Sequence, residues 1–215
     1  MGIKQIAIYC AGGLGREVAC LINAINRVEH QWDIIGYFDD VKAINSTNEY
    51  GMVLGGIYEL NKWKDKLSIV VANGNPKALK KIVAAIENPL IDFPNIIAPD
   101  FVVLDNQNYF IGKGNIITWH CGISCNVRLG DFNLLNGYNS FGHDAKIGSY
   151  NSFMPSVKVS GNVIIGDCNF WGTASVVIEN VHVGNNVRVG AGSVVMRRTQ
   201  DGTVYVGNPA VKVNF

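Results

Sequence analysis

From Ile111 onward every sixth residue is large and apolar: Ile111, Ile117, Ile123, Leu129, Leu135, Phe141, Ile147, Phe153, Val159, Ile165, Trp171, Val177, Val183, Val189 and Val195. An α-helix returns a side chain to one side every 3.6 residues and a strand every second residue, so a period of six fits neither alone. A fixed short period held over roughly ninety residues means stacked like units. Each unit is a coil face of six residues that turns one side chain inward. A second period gives the number of faces. Glycine follows the inward residue at Gly112, Gly130, Gly148, Gly166 and Gly184, and asparagine recurs at Asn115, Asn133, Asn151 and Asn169, eighteen apart in both series. Eighteen is three sixes, so each turn has three faces and like residues stack from turn to turn. The glycine column predicts positive φ at one corner, and the asparagine column predicts a hydrogen-bonded ladder. Five turns at the ~4.8 Å inter-strand spacing give a triangular prism about 24 Å tall.

The first hundred residues carry a different pattern. Gln5 to Tyr9 reads as a buried strand, followed by the glycine loop Cys10-Ala-Gly-Gly-Leu-Gly15 and helical spacing from Arg16 to Asn26. Ile34 to Phe38 reads as a second strand ending in Asp39-Asp40, and Leu67 to Ala72 as a third, followed by Asn73-Gly-Asn-Pro76. Lys77 to Glu87 has apolar positions at Leu79, Ile82, Val83 and Ile86 and reads as a helix. Strands alternating with helices predict a parallel α/β sheet. Pro89, Pro94 and Pro99 punctuate the exit. The expected organisation is therefore a Rossmann-like domain over 1–100 and a β-helix over 101–215.

A glycine loop between a first strand and a helix places backbone N–H groups where they can hold phosphate. An acidic pair at the end of the second strand lies where ribose hydroxyls are usually read. Gly12-Gly13-Leu14-Gly15 is shorter than the full dinucleotide fingerprint, so the expected ligand is one nucleotide diphosphate. The substrate-binding candidates are Gly12, Gly13, Gly15, Asp39, Asp40, Gly74 and Asn75.

Composition narrows the setting. With 18 Lys and Arg against 17 Asp and Glu, the net charge is +1 and no basic cluster marks a nucleic-acid footprint. No apolar run approaches a membrane span. Five cysteines without framework spacing point to the cytoplasm. Cys121 and Cys125 lack the second pair that a zinc site would need, so no metal is expected.

A Gly-Gly-x-Gly-Arg-Glu-Val opening (Gly12 to Val18), a Gly-Tyr-Phe-Asp-Asp segment (Gly36 to Asp40) and a C-terminal six-residue repeat together resemble one bacterial group. These are the hexapeptide-repeat sugar acyltransferases, including sialic-acid O-acetyltransferases and N-acetyltransferases of nucleotide-linked amino sugars. The resemblance spans essentially the whole chain. It implies a left-handed parallel β-helix, a sugar nucleotide on the N-terminal domain, and acetyl-CoA along the β-helix between subunits of a homotrimer.

Acetyl transfer from a thioester needs a base of near-neutral pKa and a preplaced donor for the oxyanion. Of the four histidines, His30, His120, His143 and His182, His143 follows Gly142 and lies two residues after an inward Phe, near a corner where it can project toward a neighbouring subunit. The resemblance implies His143 as general base, Asp144 as its support, and Asn136 as a positioning residue. One turn beyond His143 is Gly161, which the resemblance implies as a cofactor contact. It implies the same for Ala191 in Gly190 to Val195 and for the turn Gly207-Asn208-Pro209. Leu14 stands where several relatives have a histidine, and Ala98-Pro99 where many have His-Pro, which leaves the acceptor open. The expected activity is acetyl-CoA-dependent acetylation of an amino group, at C4, of a nucleotide-linked sugar in surface-glycan biosynthesis. O-acetylation of a sugar or sialic-acid hydroxyl is the close alternative, and a trimeric scaffold or sugar-nucleotide sensor the non-enzymatic one. A zinc hydratase on a similar prism would need a converging set of three histidines, including a close pair, which His120, His143 and His182 do not supply.

Overall fold

The computed structural model describes residues 2–213. Met1, Asn214 and Phe215, which the expected domain ranges include, lie outside the described residues. The chain divides into two compact units, Met1–Pro99 and Asp100–Phe215.

In the first unit, strands β1 (Lys4–Tyr9), β2 (Trp32–Phe38), β3 (Thr47–Asn48), β4 (Gly51–Gly55), β5 (Leu67–Val71) and β6 (Ile91–Asp92) form one sheet in the order β3-β4-β2-β1-β5-β6. All pairs are parallel except β3 with β4. Central strands of a parallel sheet are covered on both faces and read as continuous apolar runs. All five residues of β5 are accordingly buried. Helix α1 (Gly13–Val28) buries Val18, Leu21, Ile22 and Ile25, a stripe at helical spacing. Helix α3 (Pro76–Ala85) starts with proline in its first turn behind an asparagine cap. The pattern missed β4 and the short helix α2 (Ile57–Asn61), which are too brief and glycine-flanked to show a period. No helix among the described residues is long and apolar enough to cross a membrane.

The second unit is a parallel β-helix of two-residue strands on three faces. Ile116 pairs Leu134, Gly122 pairs Ser140 and Arg128 pairs Lys146, each partner eighteen residues on. The first coil carries two extra residues, with Val102 opposite Gly122, and the last is two short, with Arg188 opposite Val204. Fourteen of the fifteen periodic apolar residues are buried, and Ile111 in the first coil is partly covered. Phe153 links the aromatic part of the core, edge-on to Phe141 at 5.1 Å and stacked on Trp171 at 5.8 Å. A second inward position, two residues before each apolar one, holds smaller groups that the six-residue pattern did not announce, among them Ala145, Val163, Ser175 and Ser193.

The asparagine ladder is present in that second position. Asn133 N and Nδ2 donate to Asn115 Oδ1 at 2.8 and 3.1 Å, and Asn151 repeats both bonds to Asn133. Asn169 N donates to Asn151 Oδ1 and Val187 N to Asn169 Oδ1. These side chains are inaccessible to water, so an amide replaced by a methyl would strand buried backbone donors.

The expectation about the glycine column is corrected. None of its five glycines has positive φ. The left-handed residues are others, three after each inward side chain: His120, Asn126, Phe132, Tyr138, Asp144 and onward to Asn186. The glycines are required by close approach instead. A Cβ on Gly130 would lie 2.7 Å from Ser149 Oγ and from the Gly148 carbonyl. The side chain one coil on reaches back here to cap a backbone N–H, as Asp167 Oδ1 does for Ser149 N at 2.7 Å.

Candidate functional site

His143 and Asp144 form the corner after the inward Phe141. Adjacent residues of a strand point apart, but Asp144 has φ of 59°, and this left-handed turn folds its carboxylate back onto its neighbour. His143 Nδ1 lies 2.8 Å from Asp144 Oδ2. An ionised carboxylate only accepts, so the imidazole donates from Nδ1 and keeps its lone pair on Nε2. The other oxygen, Oδ1, accepts from Asn126 Nδ2 at 2.7 Å. Together the His143 and Asn126 hydrogen bonds hold the Asp144 carboxyl below the usual carboxylate range. Both side chains of the pair are about half exposed.

Gly161 sits one coil beyond. The next residue, Asn162, donates its N–H to the His143 carbonyl at 2.8 Å, which fixes the stacking. A Cβ on Gly161 would lie 2.5 Å from His143 Nε2 and 2.7 Å from Cε1. Gly161 has no positive φ, so its missing side chain leaves space at the basic nitrogen and serves no backbone turn.

Asn136 occupies the preceding corner of the same coil. Its N–H donates to the Phe153 carbonyl at 2.9 Å. Thr118 Oγ1 approaches Asn136 Oδ1 at 3.5 Å and accepts the Gly137 N–H at 2.6 Å. Further along this corner is a groove of about 490 Å³ lined by Met154, Phe170, Gly172, Arg188, Ala191 and Val206 among others. The Arg188 guanidinium lies over the Phe170 ring at 4.5 Å. The Gly207-Asn208-Pro209 turn is exposed and anchored at its start: Gly207 N donates to Ser193 Oγ at 3.0 Å, and the Gly207 carbonyl accepts from Val194 at 2.9 Å. Ala191, the C-terminal turn and Asn136 thus share one corner. His143, Asp144 and Gly161 share the next, across the face of Ser140–Phe141.

The glycine loop of the α/β unit is braced by the acidic pair. Asp39 Oδ2 accepts the Ala11 N–H at 2.8 Å, while Oδ1 accepts from Val41 and Lys42 at 2.8 and 2.9 Å. Partial burial would raise the Asp39 carboxyl, but these three backbone donors outweigh it and hold it low. Asp40 accepts from the Tyr9 hydroxyl at 2.5 Å and from Ile57 N, at the start of α2, at 2.8 Å. Burial, then the bond to Asp40, pushes the Tyr9 phenol far up. Both carboxylates therefore already serve the frame of the domain. Gly15 is required by close approach, since a Cβ would lie 2.0 Å from the Cys10 carbonyl oxygen. Gly12 and Gly13 differ: a Cβ on either would meet nothing within 4 Å, and neither has positive φ. Gly12 caps α1 without a side-chain bond, and the first turn has no acidic residue. In the loop after β5, Asn75 Oδ1 accepts from Lys77 and Ala78 at 3.0 and 3.2 Å, capping α3 beside Gly74. Cys10, between these loops, is pushed up to about 11 by burial, against a hydrogen bond from Asn73. Among the described residues no group of three or more His, Cys, Asp or Glu side chains could hold a metal.

Sequence reasoning passed over Asn126, Thr118, Phe170 and Arg188. Asn126 was findable, lying eighteen residues before Asp144 in a chain whose stacking period is eighteen.

The chain is similar to known proteins over most of its length. The family of PglD N-terminal domains matches residues 5–86. The GDP-perosamine N-acetyltransferase of Escherichia coli O157:H7 is 30% identical over 175 residues, 81% of this chain and 78% of that protein. The acetyltransferase domain of PglB from Neisseria gonorrhoeae FA1090, solved with acetyl coenzyme A, has a TM-score of 0.88 at 27% identity, covering 99% of this chain and 100% of that one. A perosamine N-acetyltransferase variant from Caulobacter crescentus, solved with CoA and GDP-perosamine, has a TM-score of 0.89, covering 100% of this chain and 99% of that one. Its 22% identity bears on the fold alone.

Proposed function

The chain belongs to the hexapeptide-repeat sugar acetyltransferases, and we propose that it transfers the acetyl group of acetyl-CoA to the 4-amino group of a nucleotide-linked amino sugar. The observation that carries the assignment of roles is the His143 corner: an imidazole tied at Nδ1 to a carboxylate, with Nε2 facing a coil that lacks a side chain.

The amine nitrogen attacks the thioester carbonyl carbon, and His143 Nε2 takes the proton that the amine loses. Asp144 stabilises the imidazolium that results, as a carboxylate behind a histidine does in other acyl transfers. The Gly161 backbone N–H steadies the oxyanion. Collapse breaks the C–S bond, and the imidazolium returns its proton to the leaving thiolate as free CoA forms. The groove along Gly172 and Ala191 takes the pantetheine chain, with Gly207, Asn208 and Pro209 at its end. Asn136 and this groove lie on one corner and His143 on the next, so in this reading a second copy supplies the missing half of each site, within the homotrimer that the family resemblance implies.

In the α/β unit, Gly12 and Gly13 at the uncapped start of α1 hold the diphosphate through backbone N–H groups. Asp39 fixes the loop. Asp40, with acceptor sites left on its carboxylate, and the Gly74-Asn75 loop meet the rest of the nucleotide. GDP is the favoured nucleotide, since the relative at 30% identity is a GDP-perosamine N-acetyltransferase. A cytoplasmic setting and a place in surface-glycan synthesis belong to this reading, and the five unpaired cysteines accord with it.

The test is product chemistry. With acetyl-CoA and a GDP-linked 4-amino sugar, the nucleotide sugar should gain one acetyl group that survives hydroxylamine, as an amide does. An acetyl group that hydroxylamine removes would mark an ester and overturn N-acetylation. Co-refolding His143→Ala chains with Asn136→Ala chains should restore turnover that neither variant has. No restoration would contradict the shared site.

A further inference from the structure

The left-handed corner residues Asn126, Asp144, Asn162 and Asn180 form one column, with φ of 54°, 59°, 55° and 63°. It contains one amide-to-amide rung: Asn162 Nδ2 donates to Asn180 Oδ1 at 2.7 Å. Asn126 Nδ2 donates to Asp144 Oδ1 at the same 2.7 Å. At Asp144 the column departs from that pattern. A carboxylate has no proton to pass to Asn162, and its second oxygen turns aside to His143 Nδ1 at 2.8 Å. An asparagine at 144 could continue the ladder; the aspartate ends it and faces the histidine.

We infer that Asn126 is a positioning residue for the His143–Asp144 pair: its amide fixes which carboxylate oxygen faces the imidazole, and so holds the imidazole with Nε2 free. The inference rests on the reading of His143 as base. Asp144 also accepts nothing from the coil beyond, where Gly161 and Asn162 are uncharged. The charged or titratable groups facing it are His143 and Lys146. Below Asn126, a small polar cavity of about 160 Å³ is lined by Gln107, Asn108, Tyr109 and Arg128. Asn126 lines this cavity and the Asp144 side chain is about half exposed, so without the amide water takes the Oδ1 position and the carboxylate is free to turn.

The test is a double-mutant cycle on turnover. Asn126→Gly keeps the left-handed corner, since glycine adopts it without strain. It should lower kcat about tenfold, the scale of one hydrogen bond to a charged group, with KM unchanged. In an Asp144→Ala background the same change should cost nothing further, because its effect passes through Asp144. Asn126→Asp, which puts a second carboxylate against the first, should lose at least as much and keeps the question open to test should the glycine variant not fold. Asn180→Gly removes an equivalent rung of the same column and should leave kcat unchanged. Additive losses, an unchanged kcat in Asn126→Gly, or an equal loss in Asn180→Gly would overturn the inference. His143→Ala, run alongside, separates the two failures: if it retains turnover, the base reading has fallen; if it is inactive while Asn126→Gly is normal or additive, only the role of Asn126 has.

Discussion

The β-helix and the α/β unit differ in how much each residue can be compared with others like it. In the β-helix, outside its first and last coils, each position has counterparts eighteen residues away under nearly the same packing demand. The column Cys125, His143, Gly161, Glu179 shows four different residues at one geometric place, so geometry alone does not dictate any of them. The asparagine column repeats one residue over four coils before Val187 ends it, and there the hydrogen-bonded stacking selects the residue. Repetition thus separates what stacking needs from what chemistry needs. The α/β unit has no such internal control. Asp39 and Asp40 stand where a ribose could be read, yet each already holds the domain together. Gly12 and Gly13 become informative only through the space around them, which asks for no glycine.

The sharpest test of this contrast is the residue that breaks the repeat. His143→Ala should lower kcat by about 10²–10⁴-fold, the usual worth of a general base, with the melting temperature unchanged. A comparable loss of stability would mean that the corner is structural. Gly161→Ala comes next. Its methyl would lie 2.5 Å from Nε2, and the imidazole must move away; kcat should fall about 100-fold in a folded protein, the scale of an ångström of misplacement. Gly142→Ala has the opposite signature, because its methyl would meet backbone, Gly161 N at 2.6 Å. It should lower the melting temperature before it touches kcat.

Asn133→Ala, mid-ladder, leaves two backbone or side-chain donors of Asn151 without an acceptor. It should cost about 2–4 kcal/mol in denaturant unfolding with activity per folded molecule kept. In the other unit Asp39→Ala frees three backbone donors, which water can partly reach, and about 1–2 kcal/mol is expected. The Asp39 carboxyl is depressed in the fold, so its stabilisation is present above the ordinary carboxylate range and lost as pH falls through its folded value. Melting followed between neutral and acid pH should therefore be less pH-dependent in Asp39→Ala than in wild type. An equal slope would show that the carboxylate braces nothing.

How far the chain discloses itself follows the same divide. The fifteen-fold apolar period and the eighteen-residue stacking are legible because each coil repeats one packing problem, and His143 with Asp144 stands out against that background. The glycine column was legible as a column, but its cause was not. Positive φ and close approach both call for glycine, and only the position of Asp131, Ser149 and Asp167 one coil on tells them apart. The second inward position escaped notice because Cys121, Ala145, Val163 and Ser175 share small size without sharing polarity. In the α/β unit, α2 spans five residues, too short for helical periodicity to accumulate, and β4, though as long as β5, offers only Met52, Val53 and Leu54 between two glycines. The division of the proposed site between two corners was visible in principle, since Asn136 and His143 lie seven apart, one residue more than a face.

The central claim is that His143 is the base of an acetyl transfer to a sugar amine. Its most direct test is release of the CoA thiol from acetyl-CoA in the presence of GDP-, UDP- or dTDP-linked 4-amino sugars, wild type against His143→Ala. Release that depends on one such sugar and is lost in the folded variant is the predicted result. Equal release by both proteins would contradict the account.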